Sequence, residues 1–185
     1  ALQNIYTMIA GVDEVGLGCL AGPVIASAIV LSGKGSEREY KDSKQLSEKL
    51  RAENYYILRK HCYFGIGVAS PKEVDEFNVL RASHLAMIRA INSLPVKPSK
   101  IFVDGKYVPD GLQDAESVIK GDQLIQEISA ASIFAKHYRD TLMQAYDSIY
   151  PQYNLKKNKG YPTAEHKEAI SRLGLSNIHR KSFKI

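Results

Sequence analysis

Tryptophan is absent from this 185-residue chain, and cysteine occurs only twice, at Cys19 and Cys62. Neither cysteine belongs to a Cys-x-x-Cys arrangement, which excludes a disulfide framework and a thiolate metal site and predicts two reduced, partly buried thiols. No His or Cys cluster suited to zinc is present either. Long apolar runs are also lacking: the longest, Val24 to Leu31, has the length of a strand rather than of a membrane span. The N-terminal stretch has no basic start and no cleavage site of a secretion signal, so a cytoplasmic protein without membrane association is expected. Repeats, low-complexity tracts and clear linkers are missing as well, and the length suits one domain able to bury a substantial core.

What the chain does have is positive charge. The formal net charge is +5 and the sequence pI about 9.1, which favours a polyanionic partner. Basic residues thicken towards the end, in Lys156-Lys157-Asn158-Lys159 and in His179-Arg180-Lys181-Ser182-Phe183-Lys184. Taken alone, such runs read as solvated surface.

Hydrophobic patterning predicts strands over residues 6–15 and 22–31 forming an antiparallel hairpin, then a polar loop over 32–40. A helix capped by Ser47 is expected to carry Leu50, Ile57 and Leu58 on its inner face, followed by a third strand over 62–69. Ser70-Pro71-Lys72-Glu73 is a capping box with proline at the first helical position, opening a short helix that should bury Val74 and Phe77. Leu80, Met87, Ile88, Ile91 and Leu94 mark the next helix, closed by Pro95 and Pro98. Short strands follow over 100–103 and around 117–119, then a long helix over 127–149 and a last one from Thr163 to Gly174. This order predicts an α/β protein with a mixed sheet covered by helices.

The chemistry concentrates in Ala10-Gly11-Val12-Asp13-Glu14-Val15-Gly16-Leu17-Gly18-Cys19-Leu20-Ala21-Gly22-Pro23. Gly16-Leu17-Gly18-Cys19-Leu20-Ala21 matches the G-x-G-x-x-A nucleotide fingerprint by letter, but a β-branched strand follows where that fingerprint needs a helix. Asp13 and Glu14 instead end the first strand, while Asp104 and Asp122 follow the fourth and fifth. If those strands lie beside the first and parallel to it, all four carboxylates converge at one edge of the sheet. Such a cluster calls for a hard divalent cation; Mg²⁺ suits a few carboxylates together with substrate phosphates, and a pair of ions suits phosphodiester cleavage. Taken singly, Asp104-Gly105 and Gly121-Asp122 are also ordinary turn chemistry.

Over nearly its whole length the sequence resembles type 2 ribonuclease H, the bacterial ribonuclease HII group. The resemblance runs through residues 11–16, Leu20-Ala21-Gly22-Pro23-Val24, Asp42-Ser43-Lys44-Gln45-Leu46-Ser47, Val103-Asp104-Gly105, Lys120-Gly121-Asp122, residues 128–136 with Arg139-Asp140, Lys159-Gly160-Tyr161-Pro162-Thr163 and His179-Arg180-Lys181-Ser182-Phe183. It implies a ribonuclease H-like α/β fold with a five-stranded mixed sheet, residues 1–150 as the catalytic core and 151–185 as a basic, helical, substrate-binding extension. It implies that Asp13, Glu14, Asp104 and Asp122 bind two Mg²⁺ or Mn²⁺ ions, and that a monomer cuts the RNA strand of RNA·DNA hybrids and the 5′ side of ribonucleotides embedded in duplex DNA. Gly16, Leu17, Gly18, Lys44, Tyr161 and Arg180 are implied to meet substrate, Tyr161 by stacking on the sugar that follows the ribonucleotide. Leu17 stands where the family usually has arginine between the two glycines, so a phosphate contact is replaced by an apolar side chain. That departure raises two rival expectations, a weakened enzyme or a silent hybrid-binding protein; a different nuclease or recombinase of the same superfold is a further rival.

Overall fold

A computed structural model describes residues 8–185. The elements in chain order are β1 (Ile9–Val15), β2 (Val24–Val30), the single turn α1 (Gly33–Ser36), α2 (Glu48–His61), β3 (Tyr63–Ala69), α3 (Pro71–Phe77), α4 (Val79–Asn92), β4 (Lys100–Asp104), β5 (Ala115–Val118), the one-turn α5 (Gly121–Leu124), the long α6 (Gln126–Ile149), α7 (Leu155–Asn158) and α8 (Ala164–Leu173). The strands form one sheet in the order β3-β2-β1-β4-β5. Its β1–β2 and β2–β3 pairs are antiparallel, while β1–β4 and β4–β5 are parallel. The part of the expected first strand at Tyr6 and Thr7 lies outside the described residues.

Strand β2 lies between β1 and β3 and is buried along its whole length. Its Val24, Ala26 and Ala28 join Ala10 and Val12 of β1 in a core covered by α4, while Ile29 joins Leu58 of α2 and Ile133 and Phe134 of α6 on the other side. A third core assembles Leu20 and Ala21 with Met143, Tyr153, Leu155, Ala169, Ile170 and Ile178. The segment between β1 and β2 therefore packs against the last third of the chain.

Several helix faces differ from the sequence expectation. In α2 the buried stripe is Asn54, Tyr55 and Leu58, and Leu50 is 45% exposed because it lies in the first turn, before that stripe begins. In α4 the buried stripe is Ala82, Ala86, Met87 and Ala90, with Leu80 exposed. The reason lies in β3: a Cβ on Gly67 would stand 1.8 Å from the Ala86 carbonyl oxygen, and one on Gly65 2.1 Å from that of Ala90. Two glycines let the helix backbone rest on the strand, so small residues fill the contact. Phe77, the last residue of α3, is exposed rather than buried. The capping box at Ser70 is present in full, and Glu73 also receives two bonds, of 2.8 and 2.7 Å, from the Arg89 guanidinium. That pairing ties α3 to α4 and holds the Glu73 carboxyl down to about 2.

Candidate active site

Because β4 runs parallel beside β1, the ends of both strands open on the same edge of the sheet. Asp13 and Glu14 leave β1 there, and Asp104 leaves β4. Strand β5 ends at Val118, and a left-handed residue, Lys120 at φ 56°, turns the chain into α5 so that Asp122 comes back to the same edge. One carboxylate oxygen from each of Asp13, Asp104 and Asp122 lies within 4.8 Å of the others. Glu14 flanks them in a cleft of about 590 Å³ that also meets Gly16, Leu17, Gly18, Lys44 and Tyr161.

The electrostatics of this cluster are those of a site built for cations. Asp13 is 5% exposed, and burial, reinforced by the charges of Glu14 and Asp104, pushes its carboxyl well above the ordinary range. Burial also raises Glu14, and burial with the neighbouring Asp104 raises Asp122. Glu14 Oε2 is buried without a hydrogen-bond partner among the described residues. An orphaned carboxylate oxygen beside three converging ones is costly unless a cation completes it, so the donor set fits hard divalent metal.

The turn between the two strands is held from beneath by two enclosed arginines. Arg139 donates to the carbonyls of Pro23, Lys159 and Ala21 at 2.9, 2.6 and 2.9 Å. Arg180 donates to those of Gly22, Leu17 and Gly16 at 3.0, 2.9 and 2.6 Å. Arg180 is 1% exposed, which corrects its expected contact with substrate: its guanidinium is consumed by backbone carbonyls of the turn. Gly16 adopts φ +93°, and a Cβ there would meet the Arg139 side chain at 2.4 Å, whereas a Cβ on Gly18 would meet nothing within 4 Å. The fold thus demands glycine at position 16 but leaves position 18 open to an incoming ligand.

Ser43, Arg51, Ser132 and Lys136, not expected at the site from the sequence, line the same cleft. Arg51 braces the turn carrying Lys44 by donating to the carbonyls of Ser43 and Leu46 at 3.2 and 2.6 Å. Ser43 Oγ and Ser132 Oγ are 2.9 Å apart. Lys136 bonds Asp140 at 3.1 Å, and its ammonium stands 5.3 Å from the centre of the Tyr161 ring. Ser132, Lys136 and Asp140 recur every fourth residue on α6, a polar stripe on one helix face that was visible in the sequence.

Compared with known proteins, the family model described as Ribonuclease HII matches residues 10–185. The chain belongs to the ribonuclease HII family. It is 49% identical over 181 residues to the ribonuclease HII of Alteromonas mediterranea, covering 97% of this chain and 95% of that protein. With the Borrelia hermsii ribonuclease HII it shares 45% identity, over 96% and 99% of the two chains. Among solved structures, the ribonuclease H2 of Pyrococcus horikoshii superimposes with a TM-score of 0.78 at 28% identity, over 95% of this chain and 93% of that one. The ribonuclease HIII called Bst-RNase HIII, solved in complex with Mn²⁺, shares the fold with a TM-score of 0.67 at 15% identity, over 93% of this chain and 65% of that one. Membership makes this chain a type 2 ribonuclease H endoribonuclease, a divalent-metal-dependent hydrolase, on an α/β fold. No helix among the described residues is long and apolar enough to cross a membrane.

Proposed function

We propose that this ribonuclease HII takes RNA·DNA hybrids and duplex DNA with embedded ribonucleotides, and cuts on the 5′ side of the ribonucleotide with two Mg²⁺ or Mn²⁺ ions. The observation that carries the reading is the convergence of Asp13, Asp104 and Asp122 with the orphaned oxygen of Glu14, directly beside a glycine turn with open space at Gly18. Asp13, Glu14, Asp104 and Asp122 would hold the ions. When bound, divalent ions supply activation of water and neutralisation of the leaving oxygen. Hydrolysis adds water across the P–O3′ bond: the water oxygen joins phosphorus, the 3′ oxygen leaves and takes up a proton, and the ends are 5′-phosphate and 3′-OH.

The protein's own share is placement. Backbone groups of the turn can approach a ribose 2′-OH closely at Gly18, the mark that separates RNA from DNA. Tyr161, Lys44 and Lys136 line the cleft; the Tyr161 ring would face the next sugar and the two ammonium groups would meet phosphates. The reading of Tyr161 draws on the family resemblance. Leu17, 38% exposed, puts an apolar side chain where a guanidinium would meet a phosphate but leaves the carboxylates untouched. The test is cleavage of a duplex with one embedded ribonucleotide, with and without Mg²⁺, followed by analysis of the ends. Mg²⁺-independent cutting, or ends other than 3′-OH and 5′-phosphate, would overturn it.

A further inference from the structure

The His179-Arg180-Lys181-Ser182-Phe183 segment contributes no side chain to the lining of the carboxylate cleft, yet it reaches both parts of the site that face substrate. Arg180 bonds the carbonyls of Gly16 and Leu17, and its backbone N–H donates to Leu20 at 2.8 Å. His179 is 2% exposed, and its Nε2 lies 2.9 Å from Nε2 of the fully buried His166. His166 Nδ1 in turn lies 2.9 Å from the carbonyl oxygen of Tyr161. On the far side, Asp75 accepts from the backbone N–H groups of Lys181 and Ser182 and from the Ser182 hydroxyl, at 3.0, 3.0 and 2.6 Å.

The proton positions along this chain follow from its ends. A carbonyl only accepts, so His166 Nδ1 carries a proton and, in a neutral ring, His166 Nε2 is bare. His179 Nε2 therefore donates to it. His179 Nδ1 is then an acceptor, as its 3.0 Å bond from the Ser176 backbone N–H requires. One arrangement of protons satisfies every contact with both rings neutral. A further proton on either ring would place a donor against a donor. The ring of Tyr153 closes over the pair, 4.7 Å from His179 and 6.3 Å from His166 between centroids.

We propose that His166 and His179 are positioning residues, a two-imidazole relay that sets Tyr161 over the cleft and keeps it in register with the glycine turn, which the same segment holds through Arg180. This rests on the reading of Tyr161 as a substrate contact. The plainer alternative is a buried pair that steadies the C-terminal part of the chain without registering at the site. Stability alone does not separate the two, but substrate preference and coupling to Tyr161 do.

The experiment compares the parent with His179→Ala, His179→Gln, Tyr161→Ala and the His179→Ala/Tyr161→Ala double variant, well below each melting midpoint, on a single embedded ribonucleotide and on a uniform hybrid. Glutamine can present an amide N–H near the place of His179 Nε2. His179→Ala should lower catalytic efficiency on the embedded ribonucleotide by about fivefold to tenfold, the size of a lost buried hydrogen bond, and by less on the hybrid. His179→Gln should recover most of that loss, and the alanine change should cost nothing further once Tyr161 is alanine. An equal loss from His179→Ala with and without the Tyr161 ring overturns the proposal, as does unaltered kinetics with only a lower melting midpoint. Equal losses on both substrates in Tyr161→Ala would instead defeat the reading of Tyr161 as a junction contact; the coupling between the two positions would still decide the relay.

Discussion

Asp13 lies deep in the site, where burial and the neighbouring carboxylates push its carboxyl up, so a cation beside it would favour the charged form. Asp13→Asn keeps the shape and removes the charge; cleavage should fall at least about a hundredfold while hybrid binding, dominated by phosphate contacts elsewhere, stays near the parent value. Binding and Mg²⁺-dependent turnover measured side by side check this, and undiminished turnover would remove Asp13 from the site. The two glycines of the turn should separate in the same way. Gly16→Ala, with positive φ and no room beside Arg139, should lower stability by roughly 1–3 kcal/mol in urea unfolding. Gly18→Ala should leave the unfolding curve almost unchanged, because a Cβ there meets nothing within 4 Å, and should raise KM if substrate approaches as proposed; an unchanged KM would show that substrate keeps its distance there. Leu17→Arg should raise activity on an embedded ribonucleotide by about tenfold at low ionic strength, and the gain should shrink as salt rises. If arginine brings no gain even at low salt, Lys44 or another cation of the cleft already occupies that phosphate.

At the scale of elements, the last third of the chain is bound to the first hairpin by a buried polar network as well as by apolar packing. Burial, reinforced by His166, pushes the His179 imidazole down to about 4, and burial lowers His166 as well. In the unfolded chain both titrate near 6.5, so between pH 6.5 and 4 the unfolded state holds more protons than the folded one. The contribution of His179 is therefore complete above pH 6.5 and is lost as pH falls through that interval, by roughly 3 kcal/mol at most. Because His179→Gln does not titrate there, the stability advantage of the parent over this variant should narrow from pH 7 to pH 4. Urea midpoints across that range measure it, and an advantage that stays flat would show that the pair is not held neutral.

For the whole molecule, the edge proposed to hold metal is also the least self-consistent part of the fold, since four carboxylates converge where three strand ends and a helix start meet. Ions that bind the folded state alone must then stabilise it by mass action. Mg²⁺ should raise the melting midpoint by a few degrees, and Asp13→Asn should abolish most of that rise while melting no lower than the parent without metal, because the amide keeps the shape and relieves the crowding of carboxyl groups. Thermal melts with and without Mg²⁺ read both outcomes; an equal rise in the variant would place the ions elsewhere.

Much of this was legible in the sequence because it is written in local chemistry. The hairpin follows from apolar, β-branched runs around a glycine turn, the start of α3 from Ser70, Pro71 and Glu73, and the limits of α8 from Thr163 and Gly174. Asp13, Glu14, Asp104 and Asp122 could be picked out because each ends a strand or follows one closely. Their meeting depended on β4 lying parallel beside β1, which is a property of the sheet and not of any segment. The same holds for Arg180: a basic run reads as solvated surface, and only the folded chain brings three carbonyls of the turn around one guanidinium. The alanine stripe of α4 was hidden because Gly65 and Gly67, on another element, set how near the helix comes. His166 and His179, thirteen residues apart, carry no periodic signal at all. Turns, caps and strand ends are decided by neighbours along the chain, whereas the burial of a charge or an imidazole is decided by whichever distant groups arrive to satisfy it, and that is settled only when the elements pack.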